Sequence, residues 1–233
     1  MIHSDFQCEF YFIRHGESVS NATPGFVAGV NFDAPLTERG LEQARLVGRR
    51  LAKDGVRFDR IYSSTLVRTV QTAGTILEEM GQSGRPFSRV EALMEQQMPA
   101  WRGSPIEEVY TLETRAYMAA KGMDFVSPEG ESLRVVQRRI SSWIEDEFIN
   151  NQELVGTGAS LTVAVVGHGT ASRCLFHYIM GFDQRFIVRI GMDNCNISRF
   201  RFDRDGWSVI CINDSSHLGG NGKADVPETD ARK

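Results

Sequence analysis

Along the 233 residues, apolar positions gather into two nearly unbroken runs, and each run stops at a histidine set against glycine. Phe10, Tyr11, Phe12 and Ile13 carry no polar alternation, and the stretch LTVAVV at 161–166 is similarly apolar. Short runs of aromatic and β-branched residues predict strands buried on both faces, as in parallel sheets. The first run ends in Arg14, His15 and Gly16, and the second in Gly167, His168 and Gly169. Charged and glycine residues at the carboxyl end of a buried strand mark the edge where open α/β sheets hold their ligands.

Between and after these runs the periodicity is mostly helical. Leu41, Ala44, Val47 and Leu51 recur at helical spacing between Thr37, an N-cap residue type, and Gly55, a stop signal. Asp59 to Ser63 reads as a short strand, followed by a helix that Ser64 or Thr65 would cap and that runs to about Met80. Residues 81–104 are irregular apart from a possible strand at Phe87 to Val90. Pro105 is placed to open a helix at its first position. A second helix is expected from about Glu131 to Ile149, with Leu133, Val136, Ile140 and Ile144 on one face. Together these two helices predict a cap inserted into an α/β core. Thr170 to Met180 predicts a helix closed by Gly181, and Asn196 to Phe202 with Trp207 to Asn213 predicts a hairpin. Residues 22–35 should form a loop over the first strand end, and the polar stretch from Gly219 onward a flexible tail.

Composition narrows the chemistry. With 41% apolar residues, 24% charged residues and a net charge of −4, the chain reads as an ordinary globular protein without a basic surface for nucleic acid or membrane. No apolar run is long enough to span a bilayer, and the start MIHSDFQ lacks the features of a signal peptide, so a cytoplasmic location is expected. Cys8, Cys174, Cys195 and Cys211 show no metal or redox spacing and read as reduced structural thiols. His3, His177 and His217 likewise lack ligand spacing, and no metal is expected.

In a parallel sheet, three strand ends would share one edge: Arg14 with His15, Ser63 just ahead of Arg68, and His168. A cation in the first turn of a helix, as Arg68 is, opposes the helix dipole unless an anion sits beside it. Two arginines and two histidines converging with helix-start amides make an anion pocket, and the guanidinium fork suits phosphoryl oxygens.

These residues carry a resemblance to the histidine phosphatase superfamily, whose members include the cofactor-dependent phosphoglycerate mutases. RHGE at Arg14 to Glu17 resembles its signature, with Asn21 at the spacing of the RHG(Q/E)xxxN form. DAPLTERGLEQA from Asp33 to Ala44 and SSTLVRTVQTA from Ser63 to Ala73 resemble two further family segments, the latter putting the second pocket arginine at Arg68. PEGES at Pro128 to Ser132 and VVGHG at Val165 to Gly169 follow in order. The family's acid-bearing segment is similar to the stretch with Leu93, Glu95, Trp101 and Gly103, although Pro99 and Arg102 depart from it, which leaves Glu91 as a fallback acid.

The resemblance implies a three-layer α/β/α sandwich with a mostly parallel central sheet, an antiparallel edge strand and a small helical cap. It implies one domain over residues 1–218, with the cap at about 96–130. It further implies a phosphomonoesterase needing no cofactor, which acts on a small phosphorylated metabolite through a phosphohistidine. His15 would be the nucleophile and Glu95 the acid and base. Arg14, Arg68 and His168 would clamp the phosphoryl group, with Asn21 and Gly169 also binding substrate. Family mutases resemble one another in an Arg-Arg pair with a nearby Lys in the inserted segment. Between Ser104 and Val126 this chain has only Arg115 and Lys121, which favours hydrolysis over a 2,3-bisphosphoglycerate-dependent mutase. A non-catalytic phospho-ligand sensor is the third reading, and loss of His15 or Glu95 would have been its sign.

Overall fold

The computed structural model describes residues 6–27 and 34–221. Six strands form one sheet in the order β3-β2-β4-β1-β5-β6. They span Gln7–Arg14 (β1), Arg60–Ser64 (β2), Ser88–Val90 (β3), Ser160–Gly167 (β4), Ile197–Asp203 (β5) and Gly206–Asp214 (β6). The pairs β1-β4, β2-β4 and β2-β3 are parallel, whereas β5 runs antiparallel to β1 and forms the expected hairpin with β6. The fold is thus the mostly parallel α/β/α arrangement, with an antiparallel hairpin completing one side.

The side-chain period of a strand divides β1 between two cores. Cys8, Phe10 and Phe12 point into one layer, with Val136, Ile140 and Ile144 of helix α5 (Leu133–Ile144) and Cys174 and Leu175 of α6 (Gly169–Met180). Tyr11 and Ile13 point into the other, with Ala44, Val47 and Leu51 of α1 (Glu38–Lys53) and Ala73, Ile76 and Leu77 of α2 (Val67–Glu79). Continuous hydrophobicity was needed because both faces of β1 are covered.

Three local expectations are corrected. The helix from Ser132 lies on the sheet as α5 and continues as a π-helical turn at Glu145–Ile149, so it is part of the core and not of the cap. The apolar face built by Val136, Ile140 and Ile144 is what draws it there. Neither Ser64 nor Thr65 caps α2. Its N-cap is Leu66, with no side-chain bond, because the Ser64 hydroxyl is turned to His168. Pro105 precedes the short helix α3 (Ile106–Val109), and a further helix α4 (Leu112–Lys121) follows, both without buried residues. Thr37 does cap α1, accepting from the Gly40 amide at 3.0 Å. Part of the loop expected at 22–35 and the tail beyond 221 lie outside the described residues, as does His3.

All four cysteines are unpaired, and burial pushes the Cys174 thiol up to about 12. No helix among the described residues is long and apolar enough to cross a membrane.

Register carries the fold to the site. Arg14 pairs with Gly167 and Ser63 with Val166, so the carboxyl ends of β1, β2 and β4 are level. The turn after β1 then presses against the start of α1. A Cβ on Gly16 would overlap the Gly40 carbonyl, and one on Gly40 would overlap the Glu17 carbonyl. Gly40→Ala is therefore expected to cost about 1–3 kcal/mol of stability, as overpacking does. Thermal unfolding reads it as a lower Tm, and an unchanged Tm would contradict this close approach.

Candidate active site

The turn from Arg14 to Glu17 is fixed from several directions. The His15 amide donates to the Gly167 carbonyl at 3.0 Å, tying the turn to the end of β4. The Gly16 amide donates to Thr72 Oγ1 at 3.1 Å and the Glu17 amide to Gln43 Oε1 at 2.8 Å. Glu17 in turn accepts from Thr37 Oγ1 at 2.8 Å and pairs with Arg39 at 3.0 Å. On the opposite side, Cys195, in a left-handed conformation with φ of 55°, donates its amide to the Arg14 carbonyl at 3.1 Å. The buried Asn194 donates Nδ2 to the His15 carbonyl at 3.0 Å.

His15 is thereby held 4% exposed with a defined ring orientation. Its Nδ1 lies 2.7 Å from the Gly16 carbonyl, and its Nε2 accepts from Arg68 Nε at 3.2 Å. A carbonyl oxygen only accepts, so Nδ1 carries the proton and Nε2 the lone pair; this tautomer is assigned from the hydrogen bonds. Burial, and then the positive charges of Arg68 and Arg14, hold the His15 pKa well below the ordinary imidazole value, so the ring is neutral at neutral pH.

The remaining predicted clamp residues gather around that ring. His168, fully buried, stands with its ring centroid 5.1 Å from that of His15, and its Nε2 lies 2.9 Å from Ser64 Oγ. Its pKa too is held well below the ordinary value, by burial first and then by Arg68. Arg14 donates one terminal nitrogen to the Met192 carbonyl. Arg14 Nε and His168 Nδ1 are buried with no hydrogen-bond partner. Unsatisfied buried polar atoms are uncommon and call for an explanation. Burial, reinforced by the nearby Arg173, lowers Arg14 to about 10. Arg68 is also buried, at 5% exposure.

Glu95 sits at the start of α6. Its Oε2 accepts from the Thr170 amide and its Oε1 from the Ala171 amide, each at 3.1 Å, and Oε1 also accepts from the Gln96 amide at 2.9 Å. A carboxylate at a helix N-terminus satisfies free amides and complements the dipole. The nearby Glu95 carboxyl favours the charged form of Arg14, Arg68 and Arg173, and Asp193 adds to this at Arg14. Glu91, the alternative acid, lies at the start of the 3-10 turn Glu91–Leu93 and has no such bonds to α6.

Asn21 is close by but largely committed to local structure. Its Oδ1 accepts from the Ser18 amide at 3.1 Å, from Ser18 Oγ at 3.0 Å and from Asn194 Nδ2 at 3.4 Å. Gly169 opens α6, against the Arg14 side chain. Four neighbours escape the sequence reading: Ser64, Thr72, Asn194 and Arg173, the last donating Nε to the Ile190 carbonyl at 2.8 Å. Ser64 and Thr72 do fall inside the segment from Ser63 to Ala73, where the pattern points to Arg68 for the pocket and to Ser64 only as a helix cap. Asn194 and Arg173 carry no local signal.

Comparison with known proteins agrees with this architecture. The chain is 30% identical over 217 residues to "Probable phosphoglycerate mutase GpmB" of Yersinia pestis, covering 90% of this chain and 94% of that one. Among solved structures, phosphoglycerate mutase of Bacillus anthracis superposes with a TM-score of 0.75 at 20% identity, covering 94% of this chain and 98% of the other. A phosphoserine phosphatase variant of Entamoeba histolytica in complex with phosphoserine gives 0.74 at 22% identity, with coverage of 91% and 99%. Mutases and phosphatases thus share the fold, and identity at this level speaks for the fold alone. The family model for branch 1 matches residues 10–215, a span that includes β1 from Phe10 and all five later strands. With the core inside that span and the paired histidines at its strand ends, the chain belongs to the histidine phosphatase superfamily.

Proposed function

We propose that this protein hydrolyses phosphomonoesters of small metabolites through a phosphohistidine on His15. The observation that carries the reading is the orientation of the His15 ring: Nδ1 is bound to the Gly16 carbonyl, and the lone pair of Nε2 faces Arg68. A neutral, buried imidazole in that orientation is ready to attack phosphorus.

In the first step Nε2 bonds to phosphorus while the bond from phosphorus to the ester oxygen breaks. Glu95, a carboxylate before substrate binds, takes up the proton of the phosphate monoanion as it enters and gives it to the departing oxygen, so the product leaves as an alcohol. The Nδ1 proton, still bonded to the Gly16 carbonyl, stabilises the positive charge that develops on the ring. In the second step Glu95 takes a proton from water, whose oxygen bonds to phosphorus as the bond to Nε2 breaks. Phosphate leaves, and His15 and Glu95 return to their starting states.

Arg14, Arg68 and His168 hold the equatorial oxygens. The Arg14 Nε without a partner is a ready donor, and with Ser64 donating to His168 Nε2, Nδ1 of that ring becomes a second. Gly169 would contribute main chain at the helix start. Asn21 would contribute its amide nitrogen, since its oxygen already has partners. No step in this scheme requires a metal.

The geometry of the cap cations favours hydrolysis over a mutase. Arg115 donates Nε to the Tyr110 carbonyl at 2.8 Å, and Lys121 Nζ lies over the Tyr117 ring at 5.6 Å. Both are engaged by the cap's own residues, which supports hydrolysis over a mutase.

The clamp gives a direct test. Arg68→Lys keeps the charge and loses the fork, so kcat/KM should fall by at least ~10-fold on every substrate, because the contact is made to the oxygens all of them share. An unchanged kcat/KM would remove Arg68 from the reacting centre.

A further inference from the structure

The PEGES stretch has no part in the scheme above, yet its atoms are bonded to the segment that carries Glu95. Glu131 meets that segment through both side chain and main chain. Its Oε1 accepts from the Gln97 amide at 3.0 Å, its amide donates to the Gln97 carbonyl at 3.0 Å, and its carbonyl accepts from Gln96 Nε2 at 2.9 Å. Arg139, two turns along α5, pairs with both Glu131 oxygens, at 2.7 Å and 3.2 Å. The same guanidinium donates to the Ala92 carbonyl at 2.6 Å and to the Glu95 carbonyl at 3.2 Å.

The rest of the motif lets this happen. A Cβ on Gly130 would stand 2.6 Å from the Gln97 carbonyl, so only glycine allows the turn to come this close. Ser132 caps α5 by accepting from the Val135 amide at 3.2 Å, which fixes where Arg139 falls on the helix. Both partners of the ion pair are largely shielded, with side chains 19% and 13% exposed. Residues 94–98, where Glu95 lies, are in no helix or strand. Leu93, 1% exposed in the core, anchors one end of this stretch, and the bonds to Glu131 and Arg139 hold the part that follows.

We infer that Glu131 and Arg139 form a brace that positions the Glu95 carboxyl group for proton transfer. They are positioning residues, since the bonds they make go to the main chain of 92–97 and not to the reacting atoms. This rests on the reading of Glu95 as the acid. Proton transfer is sensitive to placement, and a displacement of about 1 Å is enough to cost up to ~10²-fold in rate.

The test compares leaving groups in folded enzyme. Glu131→Gln retains an acceptor for the Gln97 amide but loses the charge that fixes Arg139, and Arg139→Lys retains the charge but loses the fork. Both should slow hydrolysis of an alkyl phosphate by at least ~10-fold. Formation of the phosphoenzyme from p-nitrophenyl phosphate, whose leaving group departs without a proton, should change by less than ~3-fold. Neither substitution should slow the alkyl ester further when added to Glu95→Gln, because the group being positioned is already gone.

A brace that merely stabilised the fold would slow both substrates alike, and that result in folded Arg139→Lys overturns the inference. So does full additivity with Glu95→Gln. If Glu95→Gln discriminates between leaving groups while the brace variants do not, the brace alone falls. If Glu95→Gln itself shows no discrimination, the acid assignment falls and the brace with it.

Discussion

Replacing His15 with alanine should reduce turnover by on the order of 10⁴-fold or more, because it removes the atom that bonds to phosphorus. The fold should survive the change. The turn is held through the His15 amide, which donates to Gly167, and the His15 carbonyl, which accepts from Asn194, and alanine keeps both. Circular dichroism and a thermal melt near wild type would establish that the loss is chemical. The ring is also the partner of Arg68 Nε, so some local rearrangement of that arginine is expected. Steady-state hydrolysis of p-nitrophenyl phosphate is the measurement, and a rate near wild type would remove His15 from the nucleophile's role.

The second large effect is expected at Glu95 and depends on the substrate. An alkoxide is a poor leaving group and needs a proton, whereas p-nitrophenolate does not. Glu95→Gln should therefore slow alkyl phosphates by roughly 10² or more, the scale of general acid catalysis, and slow phosphoenzyme formation from p-nitrophenyl phosphate much less. The same carboxylate activates water in the second step, so the variant should release p-nitrophenolate in a burst and accumulate phosphoenzyme. The structure adds a complication that the two-substrate comparison resolves. Both Glu95 oxygens accept amides of α6, and a glutamine would turn its NH₂ toward one of them. Disturbance of the helix start would slow both substrates together. Equal losses without a burst would thus argue against the acid role, and Glu91 would be the next residue to test.

What the sequence revealed follows from how local each signal is. The β1 and β4 runs were legible because strands covered on both faces have no polar alternation, and Phe10 to Ile13 together with Val163 to Val166 are buried without exception. Their carboxyl ends follow from the parallel arrangement, so the meeting of Arg14, His15, Arg68 and His168 was within reach of the pattern. Gln43 and Thr72 lay inside segments with a family resemblance, yet their task was hidden. They hold the amides of Glu17 and Gly16, residues 26 and 56 positions away.

Asn194 is a harder case: a single polar residue, buried by a turn that depends on the positive φ of Cys195. The pattern alone places the helix from Ser132 in the cap because the gap between strands says nothing about which layer a helix joins. Its apolar face of Val136, Ile140 and Ile144 was the available clue, since a face of that kind requires a sheet to cover. Ser64 suits a helix cap by residue type, whereas in the fold a buried imidazole competes for the same hydroxyl.

The proposal of a covalent route is tested most directly by trapping the intermediate. Rapid acid-free quenching of wild-type enzyme turning over a labelled phosphomonoester, followed by peptide mapping, should locate an acid-labile, alkali-stable phosphoryl group on His15, with none formed in His15→Ala. Label on another residue, or turnover without any phosphoenzyme and with inversion at phosphorus, would contradict the account, since water would then attack the ester directly.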